Sequence, residues 1–254
     1  MKKTNILIGA IFILALVTSS FHRADAANNC DFKSNLKELS EAQAGSRFDD
    51  SQENIKKELS VRKKILSQTI ACSVNETLSL QSGIKLAPVS SAELREIQNR
   101  MILKLDEMID YYKSQENVIG DLGIGGSKIF SANLKAWRNS NYVPMTDLGK
   151  NFLIFTKNQD ILQTTQNRLN QINLTLKTLG LDDNQKISEM LNQARKNIRS
   201  ADEENGLVKN VFKRLTWPND ISDVMVSSLQ HLKDAYQNFF DIGKEAQSII
   251  SSAK

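Results

Sequence analysis

Hydrophobic residues recur every seven positions through the middle of the chain. The residues that form this repeat are Leu148, Phe155, Leu162, Leu169 and Leu176. This spacing keeps apolar side chains on one side of an α-helix, so the pattern predicts a single long helix over residues 146–179. Such a helix is roughly 50 Å long, and its apolar stripe needs partner helices of similar length to cover it.

Patterns on both sides predict these partner helices. Apolar residues at helical spacing extend over residues 51–82 and 91–118, before the central helix. Two stretches after it place apolar or small residues at alternating steps of three and four, the spacing of a coiled-coil seam. The first seam consists of Ile187, Leu191, Ala194, Ile198, Ala201, Asn205, Val208, Phe212 and Leu215, and the second of Met225, Ser228, Leu232, Ala235, Phe239, Ile242, Ala246 and Ile249.

Two short helices are predicted as well, over residues 30–44 and 127–139. The predicted fold class is therefore all-α: an elongated antiparallel helical bundle with coiled-coil-like seams, with about five long helices plus two short ones. We divide the chain into a signal peptide at residues 1–26, an N-terminal helical segment at 27–86 tied by a disulfide, and a main helical bundle at 87–254.

Local signals predict several helix ends. Gly83 is expected to end the second helix, and Ser90, followed three residues later by Glu93, has the spacing of a capping box at the start of the third. Gly180 followed by a leucine predicts a Schellman-type end for the central helix. The next helix is predicted to end at residues 217–218, because the proline there cannot continue it.

One polar residue interrupts the first seam. Asn205 stands where the spacing otherwise places apolar or small residues. An asparagine at such a position can fix the register of packed helices by bonding to a polar residue of the partner. The candidates on the central helix are Asn151 and Asn158, and the alternative is an Asn205 side chain that reaches solvent.

Composition agrees with an all-helical chain and excludes one class of partner. The 254 residues include only 3 Pro and 11 Gly, too few for the many tight turns of a β-sandwich. The formal net charge of +4 arises from 33 basic and 29 acidic residues that are interspersed along the chain. Nucleic-acid binding needs basic residues gathered on one face, so no nucleic-acid partner is expected.

The first residues have the pattern of a signal peptide. Lys2 and Lys3 precede an apolar run at residues 6–17, and small residues follow at Ala24 and Ala26. The apolar run is shorter than the ~20 residues that span a bilayer. Cleavage close to Ala26 is predicted, with an uncleaved N-terminal anchor as the alternative. The mature chain is expected to be exported, whether periplasmic, cell-surface or extracellular, without a membrane span.

Export bears on the oxidation state of the two cysteines. In an oxidising compartment, Cys30 and Cys72 are expected to form a disulfide. Closing a loop of about 40 residues stabilises a chain by ~4 kcal/mol in the chain-entropy model. The bond would tie a loose N-terminal segment to the first long helix. Two free buried thiols are the alternative, in a reducing compartment.

Candidate chemistry is sparse. The glycine-rich stretch at residues 120–126 precedes a helix that Ser127 is expected to cap, but the following Lys128 does not complete a phosphate-loop pattern, which requires Gly-Lys-Ser/Thr after a strand. A flexible connection between helices is the preferred interpretation. His231 is the one histidine beyond the signal peptide, so a histidine-based metal site cannot be built. No enzyme activity, cofactor or metal is predicted.

One connection concentrates residue types that are common in binding hot spots: Trp137, Arg138 and Tyr142. They form a possible interaction patch, and the alternative is that the two aromatic residues close the end of the bundle. Residues 141–144 are expected to be extended, because Pro144 restricts the residue before it. A second hypothesis is an apolar ligand pocket near Trp137 that also involves Met101, Met108 and Phe155.

The run at residues 137–144, with Asn158-Gln159 and the stretch at 166–172, resembles uncharacterised exported helical proteins of small-genome bacteria. The likeness extends from about Cys72 to the C-terminus and implies export and an all-helical fold. A weaker analogy, in architecture alone, is to minor pilin subunits of conjugative secretion systems. The chain is therefore expected to be a non-catalytic interaction or structural component of the cell envelope or of a secretion system. It would contact a protein partner or itself, and the alternative is a carrier or enzyme for a small apolar ligand.

Overall fold

The computed structural model describes residues 30, 32–49, 51–215 and 221–252. This part of the chain is almost entirely helical and contains no strand, which confirms the predicted all-α helical bundle. Its elements, in chain order, are α1 (Lys33–Phe48), α2 (Gln52–Leu86), α3 (Ala92–Ile119), α4 (Ile124–Trp137), a π-helix (Arg138–Tyr142), α5 (Val143–Thr178), α6 (Gln185–Arg214) and α7 (Ile221–Ser252).

Two predictions concern residues that the structure does not describe. The signal peptide expected at residues 1–26 and the helix end expected at 217–218 both lie outside the described residues. The helix before residues 217–218, α6, ends at Arg214, and its C-cap residue Leu215 adopts a left-handed conformation with φ 51°.

Internal contacts divide the described chain into two compact units. Residues 30–79 and 112–130 belong to unit 1, and residues 80–111 and 131–252 belong to unit 2. The helices α2, α3 and α4 each contribute residues to both units. The predicted boundary between residues 86 and 87 stays a prediction.

In unit 1, α1 runs antiparallel to the first turns of α2. Residue numbers decrease along α2 as they increase along α1: Cys30 is joined to Cys72, and Asn35 donates to Gln68. The glycine at position 45 does not end α1, which continues to Phe48. The predicted short helix at residues 30–44 is thus present, with its ends displaced by several residues.

In unit 2, the helices α5, α6 and α7 pack around a common core. Asn158 contacts Asn205 and Asn173 contacts Arg195, so α5 and α6 are antiparallel. Ser227 contacts Glu204 and Glu245 contacts Lys186, so α7 is antiparallel to α6. Both predicted seams face this core. Their buried members are Ile187, Leu191, Ala194, Ile198, Ala201, Asn205, Val208, Phe212, Met225, Ser228, Leu232, Ala235, Phe239 and Ile242.

An aromatic cluster anchors the first half of α5 in the same core. Phe152 and Phe155 are fully buried, and their ring centroids lie 5.4 and 5.2 Å from that of Phe212 on α6. Edge and tilted ring contacts of this kind stabilise a core beyond the area they bury. The end of α5 is also as predicted. Gly180 has φ 64°, and its N–H and that of Leu181 donate to carbonyls of the last helical turn.

The prediction that Gly83 ends α2 is wrong, because the helix continues to Leu86. Tertiary packing favours this continuation: Ile84 is fully buried, and a Cβ added at Gly83 would lie 3.4 Å from Leu153 of α5. Gln98 of α3 satisfies two carbonyls at the end of α2. Its side-chain amide donates to the Ile84 carbonyl in the last turn at 2.6 Å and to the Ala87 carbonyl just beyond the helix at 3.1 Å.

The predicted capping box at the start of α3 is also wrong. The hydroxyl of Ser91, not that of Ser90, accepts from the backbone N–H of Leu94 at 3.2 Å. The Glu93 side chain pairs with Lys209 and Lys213 of α6 instead of returning to the cap. A carboxylate that can reach two ammonium groups gains more from them than from one backbone donor.

Residues 141–144 are not extended. The chain passes from α4 through the π-helix into α5 with helical backbone angles at Tyr142 and Val143. Pro144 lies in the first turn of α5, so its missing N–H falls at the junction between the π-helix and α5. The restriction that a proline places on its predecessor is therefore overcome by the continuous helical path on both sides.

Candidate functional site

The Cys30–Cys72 disulfide joins the start of α1 to α2 in unit 1. The two Cα atoms are 5.6 Å apart, within the range of ordinary disulfides. Cys72 is buried and Cys30 is half-buried. An oxygen of Glu76 lies within 4.8 Å of both sulfur atoms. This group has the residue types of a metal site, but metal ligation requires thiolates, and both sulfurs are engaged in the disulfide.

A buried ion pair lies at the other end of α1. Glu58 accepts from the hydroxyl of Ser46 at 2.6 Å and from the guanidinium of Arg62 at 2.7 Å. The Ser46 hydrogen bond, with the bond and positive charge of Arg62, lowers the pKa of the Glu58 carboxyl below its ordinary value. Lys128 adds a smaller electrostatic contribution in the same direction. The contacts with Ser46 and Arg62 therefore stabilise the charged form of the Glu58 carboxylate.

The predicted interaction patch lies in unit 2, where α4 passes into the π-helix. Trp137 stacks on Tyr111 of α3 with ring centroids 3.7 Å apart and an interplanar angle of 15°. The guanidinium of Arg138 lies 4.4 Å from the ring centroid of Tyr142. Tyr142 is buried, whereas Tyr111, Trp137 and Arg138 are half-buried. The structure thus brings the three predicted residues together and adds Tyr111, which sequence spacing did not reveal.

The π-helix carries two residues of this patch. A π-turn widens a helix locally, and such turns are frequent at functional sites. Here it carries Arg138 and Tyr142 at its two ends, with exposed residues between them. The stacking of Trp137 on a neighbouring helix immobilises the large side chain at the start of the turn. We call the group Tyr111, Trp137, Arg138 and Tyr142 the aromatic patch.

Three residues proposed for an apolar ligand pocket are core residues. Met101 and Phe155 are fully buried, and Met108 is buried on the same helix as Met101. A different concavity, an open depression of about 420 Å³, lies at the start of α3. Its lining consists of Val89, Ser90, Ser91, Ala92, Arg95, Glu96 and Asn99. This depression shares no residue with the predicted pocket.

A polar layer lies inside the core of unit 2. The side-chain amide of Asn158 on α5 donates to Asn205 on α6 at 3.1 Å and to Ser228 on α7 at 3.2 Å. The Ser228 hydroxyl in turn donates to the carbonyl of Ala201 at 3.2 Å. One of the two alternatives for Asn205 is therefore confirmed: it bonds to the central helix.

The structure also shows what surrounds Ser127 and His231. The helix α4 begins at Ile124, and the hydroxyl of Ser127 donates to the Ile124 carbonyl inside the first turn. The prediction that Ser127 caps this helix is therefore wrong. His231 has its Nε2 3.6 Å from Glu204, which also accepts from Ser227 at 2.7 Å.

The fold and these sites define an all-α helical bundle with one disulfide in its described part. None of the described helices has the length and apolar character needed to cross a membrane. No family model, curated protein or solved structure matches this chain.

Proposed function

We propose that this protein is an exported, non-catalytic helical protein that acts outside the cytoplasm by contacting another protein. The observation that carries the export part is the Cys30–Cys72 disulfide. Disulfides persist in oxidising compartments and are rare in the cytosol. The signal-peptide pattern at residues 1–26 supports the same compartment from independent residues.

The contact surface proposed is the aromatic patch. Tryptophan, tyrosine and arginine are the residue types that most often dominate binding energies at protein interfaces. The stack of Trp137 on Tyr111 leaves both rings half-buried, so part of an immobilised aromatic surface faces outward. Arg138 lies over the ring of Tyr142 and adds a cation–π contact to the patch. The partner that fits is a cell-envelope protein presenting an apolar side chain.

The export part is tested with a reporter enzyme that requires disulfides for its activity. The reporter is fused after residue 254 of the full chain, and the control fusion lacks residues 1–26. Activity from the full fusion alone supports export. Equal activity from both fusions, or none from either, contradicts it.

The contact part is tested by placing a photocrosslinking amino acid at Ser140, an exposed position between Arg138 and Tyr142. The matched control carries the same group at exposed Lys196 on α6. In intact producing cells, a discrete protein adduct from position 140 and none from position 196 supports the patch. The adduct should decrease in Trp137→Ala and persist in Leu174→Ala, which removes an exposed apolar side chain outside the patch. An adduct that survives Trp137→Ala contradicts the patch.

The alternative, a carrier or enzyme for a small apolar ligand, stays a prediction. Thermal-shift screening against lipids, quinones and nucleotides tests it with the purified full chain. A rise in melting temperature with one ligand class would favour the carrier. Its loss in Met101→Ala would favour the predicted pocket.

A further inference from the structure

The interface between α1 and α2 is poor in apolar contacts. The only buried residues of α1 are Asn35 and Ala42, one polar and one small, and Leu39 is half-buried. The two largest exposed apolar side chains of the helix point away from the interface: Leu36 is 54% exposed and Phe48 is 93% exposed. Since docking of a helix normally depends on burying an apolar stripe, this helix has little hydrophobic free energy to hold it in place.

Polar contacts also join the two helices. Asn35 donates to Gln68, and Ser46 donates to Glu58 at 2.6 Å. Lys64 and Glu38 form an exposed ion pair at 3.3 Å. Such hydrogen bonds replace bonds to water when the helix docks, and an exposed ion pair contributes little to stability. These contacts determine where α1 lies on α2, but they contribute little free energy to hold it there.

The disulfide joins α1 to α2 at the N-terminal end of α1, where the backbone does not link the two helices. At its C-terminal end α1 is linked to α2 by residues 49–51, and just before its N-terminal end the Cys30–Cys72 disulfide joins the chain to α2. We propose that α1 is a redox-controlled strap, which covers α2 while this disulfide is intact and leaves it when a dithiol reductant cleaves the bond. A free helix of 16 residues is marginal in water, so the released segment loses its helical structure as well.

The reaction is an exchange between a dithiol and the protein disulfide. A thiolate of the reductant attacks one sulfur and forms a mixed disulfide, and the other protein cysteine leaves as a thiolate and takes up a proton. The second thiol of the reductant then displaces the attacked cysteine. The products are the thiols of Cys30 and Cys72 and the oxidised, disulfide form of the reductant. Attack at Cys30 is favoured because its residue is half-buried, whereas Cys72 is buried.

Release of the strap uncovers a defined face of α2. Glu58, Gln68 and Cys72 contact α1, and Val61 and Ile65 lie between them at steps of three and four on the same face. Val61 is only 3% exposed while α1 is docked. Reduction therefore exposes an apolar strip beside the carboxylate of Glu58. The chain presents this strip before its disulfide forms and loses it afterwards.

Hydrogen–deuterium exchange of the full-length protein, followed by mass spectrometry, tests the strap. With the disulfide intact, amides of residues 33–48 should exchange slowly. Dithiothreitol should accelerate their exchange at least tenfold and leave residues 185–214 of α6 unchanged. The double variant Cys30→Ser/Cys72→Ser should exchange rapidly at residues 33–48 with or without dithiothreitol. Unchanged exchange of residues 33–48 on reduction overturns the proposal, and so does loss of protection in α6 at the same time.

A second variant tests whether the polar interface is the reason for the release. Asn35→Leu/Gln68→Leu replaces this polar pair, of which Asn35 is buried and Gln68 half-buried, by an apolar one. In this variant α1 should stay protected in dithiothreitol, because apolar burial now holds it without the covalent link. Release identical to that of the unmodified protein would overturn the role of interface polarity.

Discussion

The side-chain amide of Asn158 on α5 donates to the side-chain oxygen of Asn205 on α6 across 3.1 Å inside the core of unit 2. Both residues are 1% exposed. The same amide group reaches the Ser228 hydroxyl, so one donor links three helices at one level. The remaining amide atoms, Oδ1 of Asn158 and Nδ2 of Asn205, have no hydrogen-bond partner among the described residues. A layer that is only partly satisfied stabilises little, and its value lies in selecting one arrangement of the helices.

The first prediction concerns the register of α5. Its apolar stripe repeats every seven residues, so a slip of one repeat, about 10 Å, would again place leucines at the core. That slip would bring Asn151 to the level at which Asn158 bonds to Asn205. Asn158→Leu should therefore populate the slipped register, because Asn205 then has an asparagine partner only in that register.

Engineered cysteine pairs measure the register. Asn173 contacts Arg195 at 3.1 Å, so cysteines at 173 and 195 report the native register, and cysteines at 166 and 195 report the slipped one. A short bis-maleimide should join only the first pair in the unchanged protein and both pairs in Asn158→Leu. Exclusive formation of the 173–195 product in Asn158→Leu would show that the apolar core alone sets the register.

The second prediction is the cost of truncating Asn205 alone. Asn205→Ala leaves the buried amide of Asn158 with one acceptor fewer and should lower the free energy of unfolding by about 1–3 kcal/mol. Urea denaturation followed by circular dichroism measures it. The matched control is Asn170→Ala at an exposed position of α5, where a change within about 0.5 kcal/mol is expected. Equal effects at both positions would contradict the role of Asn205.

The third prediction contrasts two helical glycines. A Cβ at Gly206 of α6 would meet no atom within 4 Å, so Gly206→Ala should stabilise the protein by about 1 kcal/mol through helix propensity. A Cβ at Gly149 of α5 would lie 3.0 Å from the side chains of both Leu80 and Ile84. Overpacking costs about 1–3 kcal/mol and exceeds the propensity gain, so Gly149→Ala should destabilise. Denaturation midpoints that change in the same direction would contradict this contrast.

The fourth prediction concerns pH. The pKa of Glu93 is lowered from its ordinary 4.5, first by the hydrogen bond from Lys213 and then by that from Lys209. Because the folded pKa is below the unfolded one, the stabilisation is present above pH 4.5 and lost as pH falls through the folded pKa. The difference in unfolding free energy between the protein and Glu93→Gln should therefore be measurable at pH 7 and vanish at low pH.

Salt provides the control for the Glu93 prediction. The three charged side chains are partly exposed, so concentrated salt should reduce the difference at pH 7 by screening them. A difference that is independent of both pH and salt would mean that Glu93 acts through packing of its side chain and not through its charge.

The sequence by itself determined the all-α fold, the face that each seam turns inward and the pairing of Cys30 with Cys72. These follow from periodicity and from the small number of thiols, which are properties of the chain alone. It also offered two residues of the central helix as partners of Asn205, with a side chain that reaches solvent as the alternative. Those two, Asn151 and Asn158, are one repeat apart, so the local pattern is the same for both and only the packed core distinguishes them.

Tertiary structure decided where helices end and which side chains meet. Gly83 continues α2 because Ile84 is buried beyond it, and residues 141–144 are helical because the chain is held helical on both sides. Tyr111 joins Trp137 across a distance in sequence that no local pattern encodes. Periodicity reports which face of a helix is buried, but a helix end or a ring contact depends on the free energy of neighbours that only the folded chain brings close.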